Sequence, residues 1–329
     1  MTAQPRPARV RPRQLASPLF RALALAAAGG LLLAGCASPV GGERALVGVW
    51  ESAEADAANV LSIAPGRVVW RRDGQTQYHL ARLTEHGLDL FLYGSIDRVP
   101  VRRTSQGLLV GTEPGVLYRP SNLKPAALEL EPLVVVEAPQ LPADRRKAIA
   151  AELIERGERD QAVREELQSG SSSDVVSRMV AIDRENTARM VELLGEVGWI
   201  DPERFGDEAA RAAFLIVQHS GDKALMAAAL PFVRAEWQAG RVPGGHFALM
   251  YDRLELGLGR PQLYGSQIFS MGEQPQVVAP LIDPVGVDAR RAEVGLQPLA
   301  EYLEFFRGET GVPALFDWDL APVIPTASD

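Results

Sequence analysis

Cysteine is nearly absent from this chain: Cys36 is the only one among 329 residues, and there are only four histidines. One thiol excludes an internal disulfide and a cysteine-built zinc cluster. His219 and His246, the two histidines of the second half, are too few to make a zinc site there. A phosphate-cradling Gly-rich loop with a Lys, a Gly-x-Ser-x-Gly elbow and a His-Glu-x-x-His pair are all missing, so no cofactor is implied. The chain shows no internal repeats. Its apolar run, Ala22 to Leu33, is about 12 residues, whereas a helix needs roughly 20 to cross a bilayer. A permanent transmembrane anchor is therefore not expected.

What stands around that run is a signal-peptide layout: five arginines (Arg6, Arg9, Arg11, Arg13, Arg21) and no acid in the first 35 residues. Leu33-Ala34-Gly35-Cys36 then matches the lipobox pattern, in which small residues fit the processing peptidase and the thiol takes a diacylglycerol before cleavage. Cys36 is thus the expected lipidation site, and acyl chains on it would make a membrane the first partner. Ala37, not an acid, follows the cysteine, as in Gram-negative lipoproteins sorted to the outer membrane, which implies its periplasmic face. Without the signal, 29 basic residues face 42 acidic ones, about 13 net negative charges, so nucleic acid is excluded as a partner.

The expected organisation is a signal peptide (1–35), a tether (36–45), an antiparallel β-domain (46–119), a Pro-rich linker (120–143), a helical domain (144–308) and a tail (309–329). The fold class is α+β. From Leu46 to Tyr118 apolar residues recur with a period of two, as in Leu88, Leu90, Leu92 and in Leu108, Val110. Pro65-Gly66, Asp73-Gly74, His86-Gly87 and Gln106-Gly107 fall where hairpin turns are needed. Six to eight strands in a meander follow. Gly48-Val49-Trp50-Glu51 resembles the first strand of small lipocalin-like domains, which leaves two readings: a closed ligand-binding barrel or a solid β-sandwich spacer. The spacer is favoured, because so small a meander has little interior left for a ligand.

Pro120, Pro125, Pro132, Pro139 and Pro142 forbid a helix and favour an extended linker. Helical periodicity covers 144–168, 174–197, 207–219, 222–239 and 245–256, with Asp174 and Asp207 placed as N-caps. Gln262–Phe269 and Gln276–Ile282 read as a β-hairpin, one or two helices follow over Asp288–Arg307, and the Pro-rich tail from Thr310 is left irregular.

On a helical wheel Asp160 and Arg164 share the direction of Ile149, Leu153 and Leu167, and Asp183 and Asn186 fall inside the stripe of Val175, Met179, Met190, Leu193 and Val197. Four polar side chains therefore face inward, where an unpaired charge costs several kcal/mol. Either they form a structural network that fixes helix register, or the carboxylates hold substrate or act as acid and base. His219 ends a helix, where it gains from the dipole; as a general base it needs a carboxylate, for which Asp160, Asp183 and Asp252 are candidates. Asp252-Arg253 lies in a helix apolar nearly all round and is read as a buried ion pair or part of the same site. Gln262 and Tyr264 on one face of an extended piece, with Gln267 beyond Gly265, offer donors and acceptors suited to sugars or peptides, or to pinning the hairpin.

These residues also carry a resemblance. Over 148–304 the chain resembles the bacterial family of unknown function DUF6624, in Asp160-Gln161 with Arg164, Asp183 with Asn186, Gly198-Trp199, Phe214 to His219, Asp252-Arg253, Gln262 with Tyr264-Gly265-Ser266-Gln267, Ile282-Asp283-Pro284, Val287-Asp288 with Arg290-Arg291, and Gly295-Leu296 with Tyr302. Ile200, Ser220 and Ser266 stand where the family has Pro, Ala and Thr. The resemblance implies a shared polar pattern and names no chemistry. Two functions stay open: a non-catalytic envelope lipoprotein whose helical module binds a small polar ligand or an envelope protein, and a hydrolase or transferase using His219 with an aspartate.

Overall fold

A computed structural model describes residues 46–53, 59–64, 66–72, 75–84, 87–92, 95–112, 114–123, 130–169, 172–271, 274–278, 280–310 and 314–315. The signal segment, the tether with Cys36, the Asp73-Gly74 turn and the tail from 316 onward lie outside the described residues.

The first half is all antiparallel: β1 (Gly48–Ser52), β2 (Val60–Ala64), β3 (Arg67–Arg72), β4 (Gln75–Thr84), β5 (Gly87–Leu92), β6 (Ser95–Thr104), β7 (Gly107–Val110) and β8 (Val116–Pro120). Each strand pairs with the next, and β8 returns to pair with β1 through Trp50↔Pro120 and Ser52↔Tyr118. The sheet thus closes on itself as a barrel, which corrects the sandwich expectation: closure satisfies the backbone groups that two open sheets would leave along their edges. Trp50, Leu61, Val68, Leu88, Leu108 and Tyr118 pack in one core. The early tryptophan is a core residue, its Nε1 donating to Leu46 O at 3.0 Å. Gly107, at φ +149°, is required where β7 meets β8, because a Cβ there would lie 2.0 Å from Tyr118 O.

The second half is helical: α1 (Ala143–Ser169), α2 (Ser173–Val197), α3 (Pro202–Phe205), α4 (Asp207–His219), α5 (Lys223–Gln238), α6 (Gly244–Gly257), then the antiparallel hairpin β9 (Ile268–Met271) and β10 (Gln274–Val278), α7 (Val287–Glu293), α8 (Leu299–Thr310) and β11 (Ala314–Leu315). Asp174 and Asp207 sit in first turns and do not cap. Ser172 caps α2 by accepting from Val175 N, and Gly206 precedes α4 with no side-chain cap. Between α2 and α4, Asp201-Pro202 starts an extra turn, α3, with Asp201 accepting from Arg204 N and proline at the first position. Ala314–Leu315 pairs in parallel with β10, so the tail is not irregular throughout.

The 130–142 stretch is extended, as its prolines dictate, yet it is held: Val136 N donates to Leu194 O at 3.1 Å, and Leu130, Leu133, Val135 and Leu141 pack on the helical core. Barrel and helices also meet directly. α6 packs against β4 and β5, Gly259 abuts Arg67 and His79, and β9 lies beside β6 at Ser95↔Ser270. Asp89, on the outer side of β5 opposite Leu88 and Leu90, is 2% exposed and paired with Arg82 at 2.7 Å. Among the described residues no helix is long and apolar enough to cross a membrane.

Candidate functional site

α1 and α4 pass close enough at Gly157 that a Cβ there would lie 2.8 Å from Ala212 Cβ. One turn further along α1, Asp160 reaches the end of α4. Its carboxylate is 1% exposed and engaged on both oxygens: Arg164 Nη1 donates to Oδ1 at 2.8 Å, Gln161 Nε2 donates to Oδ2 at 2.7 Å, and His219 Nδ1 lies 2.8 Å from Oδ2. Arg164 turns its second amine, Nη2, to Asp183 Oδ1 on α2 at 2.7 Å. The structure thus joins Asp160, Arg164, Asp183 and His219 into one cluster that ties three helices together. Asn186, one turn beyond Asp183, is 1% exposed; its Oδ1 accepts from Arg156 Nη1 at 3.2 Å and its Nδ2 is buried without a partner.

The electrostatics assign the proton. Burial, the largest influence, pulls the His219 imidazole below its ordinary value, more than Asp160 raises it, and Arg164 and Arg253 push the same way. Burial also opposes ionisation of Asp160, but the His219 hydrogen bond and the charges around it, with Gln161, hold that carboxyl below the usual range. Asp183 moves the other way, raised by burial that Arg164 only partly offsets. A carboxylate only accepts, so a neutral His219 must carry its hydrogen on Nδ1 and keep a lone pair on Nε2. Nε2 has no hydrogen-bond partner among the described residues, and neither does the amide of the neighbouring Gln218, whose Oε1 is fully buried.

Asp252 lies apart from His219, and it does not pair with Arg253. Fully buried on α6, it accepts from Leu263 N at 2.7 Å and Tyr264 N at 3.0 Å on Oδ1, and from Ser266 N at 2.9 Å on Oδ2. Collecting three amides on one carboxylate curls 262–267 into a tight loop, which is why no strand forms there and Gln262 and Tyr264 do not share a strand face. Gln262 closes the loop from inside, its Nε2 donating to Gln267 O and its Oε1 accepting from Gln267 N. Tyr264 packs into the aromatic core against Phe247 and Tyr251. On the carbonyl side Arg291 Nη1 donates to Tyr264 O at 2.8 Å, and Tyr302 Oη donates to Ser266 O at 3.1 Å.

Arg253 is the bridge between the two groups. It donates through Nη1 to Gln218 O at 2.8 Å and through Nε and Nη2 to Gln267 Oε1 at 3.3 and 3.2 Å. Sequence reasoning did not single out Arg156 or Arg291 as site residues; for Arg291 the signal was its place in the family pattern. Among the described residues no three His, Cys, Asp or Glu side chains converge as a metal site. A cavity of about 580 Å³ opens at the other end of α4, and none of the polar residues above lines it.

Because folding lowers the His219 value below about 6.5, the unfolded chain binds the proton more readily. The stability this group contributes is complete above pH 6.5 and falls as acid approaches the folded value. His79 and His246, both brought down to about 4 by burial, act in the same direction. Melting temperature is therefore expected to drop between pH 7 and 5, with a shallower drop in His219→Gln. Nitrogen-15 NMR of the imidazole should show the Nδ1–H tautomer at pH 7; an Nε2–H or doubly protonated ring would contradict the assignment.

Comparison with known proteins adds family membership and nothing on chemistry. No curated protein and no solved structure matches the chain. The barrel lies outside the matched residues, which run 147–313, slightly beyond the 148–304 legible in the motifs. They span the Asp160 cluster, the Arg253 bridge and the Asp252 loop alike: the chain belongs to the family of unknown function DUF6624.

Proposed function

We propose that this is a bacterial envelope lipoprotein, exported by its first 35 residues, lipidated on Cys36 and held at the periplasmic face of the outer membrane, whose helical half binds a small polar ligand. The signal layout and the lipobox support the tether. One observation carries the binding reading: at the end of α4 the His219 Nε2 lone pair and the Gln218 amide stand without partners while the groups behind them are paired. Left unpaired, the fully buried Gln218 Oε1 costs about 1 to 3 kcal/mol, a cost a ligand's donor would remove.

A second reading has its own support. A neutral imidazole held 2.8 Å from an ionised carboxylate, with the far nitrogen free, is the arrangement of a general base, and it suits a hydrolase or transferase using His219 with Asp160 as the orienting partner. Binding is preferred, because the unpartnered Gln218 Oε1 beside His219 has no part in acid–base chemistry and would be met by a ligand's donor.

If the amide awaits a ligand, Gln218→Leu should leave the melting temperature of the free protein unchanged or raise it by about 1 kcal/mol equivalent. A fall of about 2 kcal/mol or more would make Gln218 a structural partner and remove the binding argument. Muropeptides and amino sugars screened by thermal shift should include one that stabilises wild type and not Gln218→Leu; a compound consumed only when His219 is present would move the protein to the second reading. For the tether, Cys36→Ala should abolish palmitate labelling and release the chain from the membrane fraction. Retention of the unlabelled variant would count against the anchor.

A further inference from the structure

The cavity at the start of α4 is separate from the polar cluster in position and in chemistry. Trp199, Ile200, Phe214, Val233, Leu249 and Leu296 stand in its wall, and its volume of about 580 Å³ falls within the range of small-molecule sites. Trp199 is braced by Phe232, stacked at 6.1 Å, and Phe214 lies flat on His246 with ring centroids 4.2 Å apart and planes 11° off parallel. The wall is therefore preformed by paired rings and does not have to assemble around a ligand.

The charges at this cavity do not select an ion. Glu236 is taken up by Arg241, with contacts of 2.5 and 3.0 Å, and the two remaining charges, Asp207 and Arg211, are exposed and of opposite sign. A half-buried imidazole, His246, also lines the cavity. Its ring nitrogens have no hydrogen-bond partner among the described residues, and burial followed by the Arg211 charge brings it down to about 4, so it is uncharged at neutral pH. Moving a charged group against such a wall would strip its water without supplying a counter-charge, whereas an uncharged ligand loses only apolar hydration and gains a hydrogen bond.

We infer that this cavity is a second binding site, one for an uncharged small molecule with an apolar body and a hydroxyl or amide head that meets His246. The inference stands apart from the polar-site reading, since it uses none of the same residues. Ala210 lines the cavity almost fully buried, and Leu296 lines it from a half-buried loop position where added bulk is easily accommodated.

The test uses the uncharged fluorescent probe N-phenyl-1-naphthylamine on the mature chain. Saturable binding at one site per chain is expected, weakened at least about tenfold in both Ala210→Trp and Leu296→Trp, which fill the space. Dodecan-1-ol should displace the probe at least about tenfold better than laurate or dodecylammonium, which share its tail and carry a charge. Wild-type affinity in both folded tryptophan variants would overturn the location, and equal displacement by either charged amphiphile would overturn the ligand class. Should both variants lose their circular dichroism, the competition series on the wild-type protein still decides the class. Probe binding that never saturates would overturn the site itself.

Discussion

The Asp160 carboxylate is the constraint on which the helical half depends. It is only 1% exposed, and a carboxylate there survives as an anion only if its lone pairs are met. Arg164, Gln161 and His219 meet them, and Arg164 spends its remaining reach on Asp183. Each partner comes from α1, α2 or α4, so satisfying one charge fixes the spacing and rotation of three helices. The close crossing at Gly157 and Ala212 is the steric counterpart of the same requirement: a larger residue would hold α4 away from Asp160.

A second buried carboxylate, Asp252, organises the rest by a different route. It gathers backbone amides, and Arg291 and Tyr302 take the carbonyls of the same loop. That loop leads directly into β9, which lies along the barrel, so one buried acid shapes the segment that leads to the barrel. Arg253 connects the loop to the end of α4 through Gln218 O and Gln267. What looked like one inward-facing polar set is two clusters with a bridge, and the buried, unpartnered Asn186 Nδ2 and Gln218 Oε1 lie with the first.

Much of this was legible in the residues, and the reasons are physical. A period of two and a period of 3.6 identify strands and helices because burial imposes them, and the inward position of Asp160, Arg164, Asp183 and Asn186 follows from the same wheel. Barrel closure was not legible, because pairing of β8 with β1 joins residues with no local signal in common. Nor was the division of labour between Asp252 and Arg253: adjacent residues on a helix point about 100° apart, so two neighbours of opposite charge suggest a pair they do not form. The expected caps at Asp174 and Asp207 failed because a cap differs from a first-turn acid by only one or two positions, and both acids fall in first turns.

The central claim is that Asp183 and His219, which do not touch, belong to one network through Arg164 and Asp160. A double-mutant cycle with Asp183→Asn and His219→Gln, read by urea unfolding of the chain at pH 7.5, measures that connection directly. The account predicts a coupling energy on the order of 1 kcal/mol between the two substitutions. Additive effects, within about 0.3 kcal/mol, would mean that the two side chains act independently and that no shared carboxylate holds the three helices.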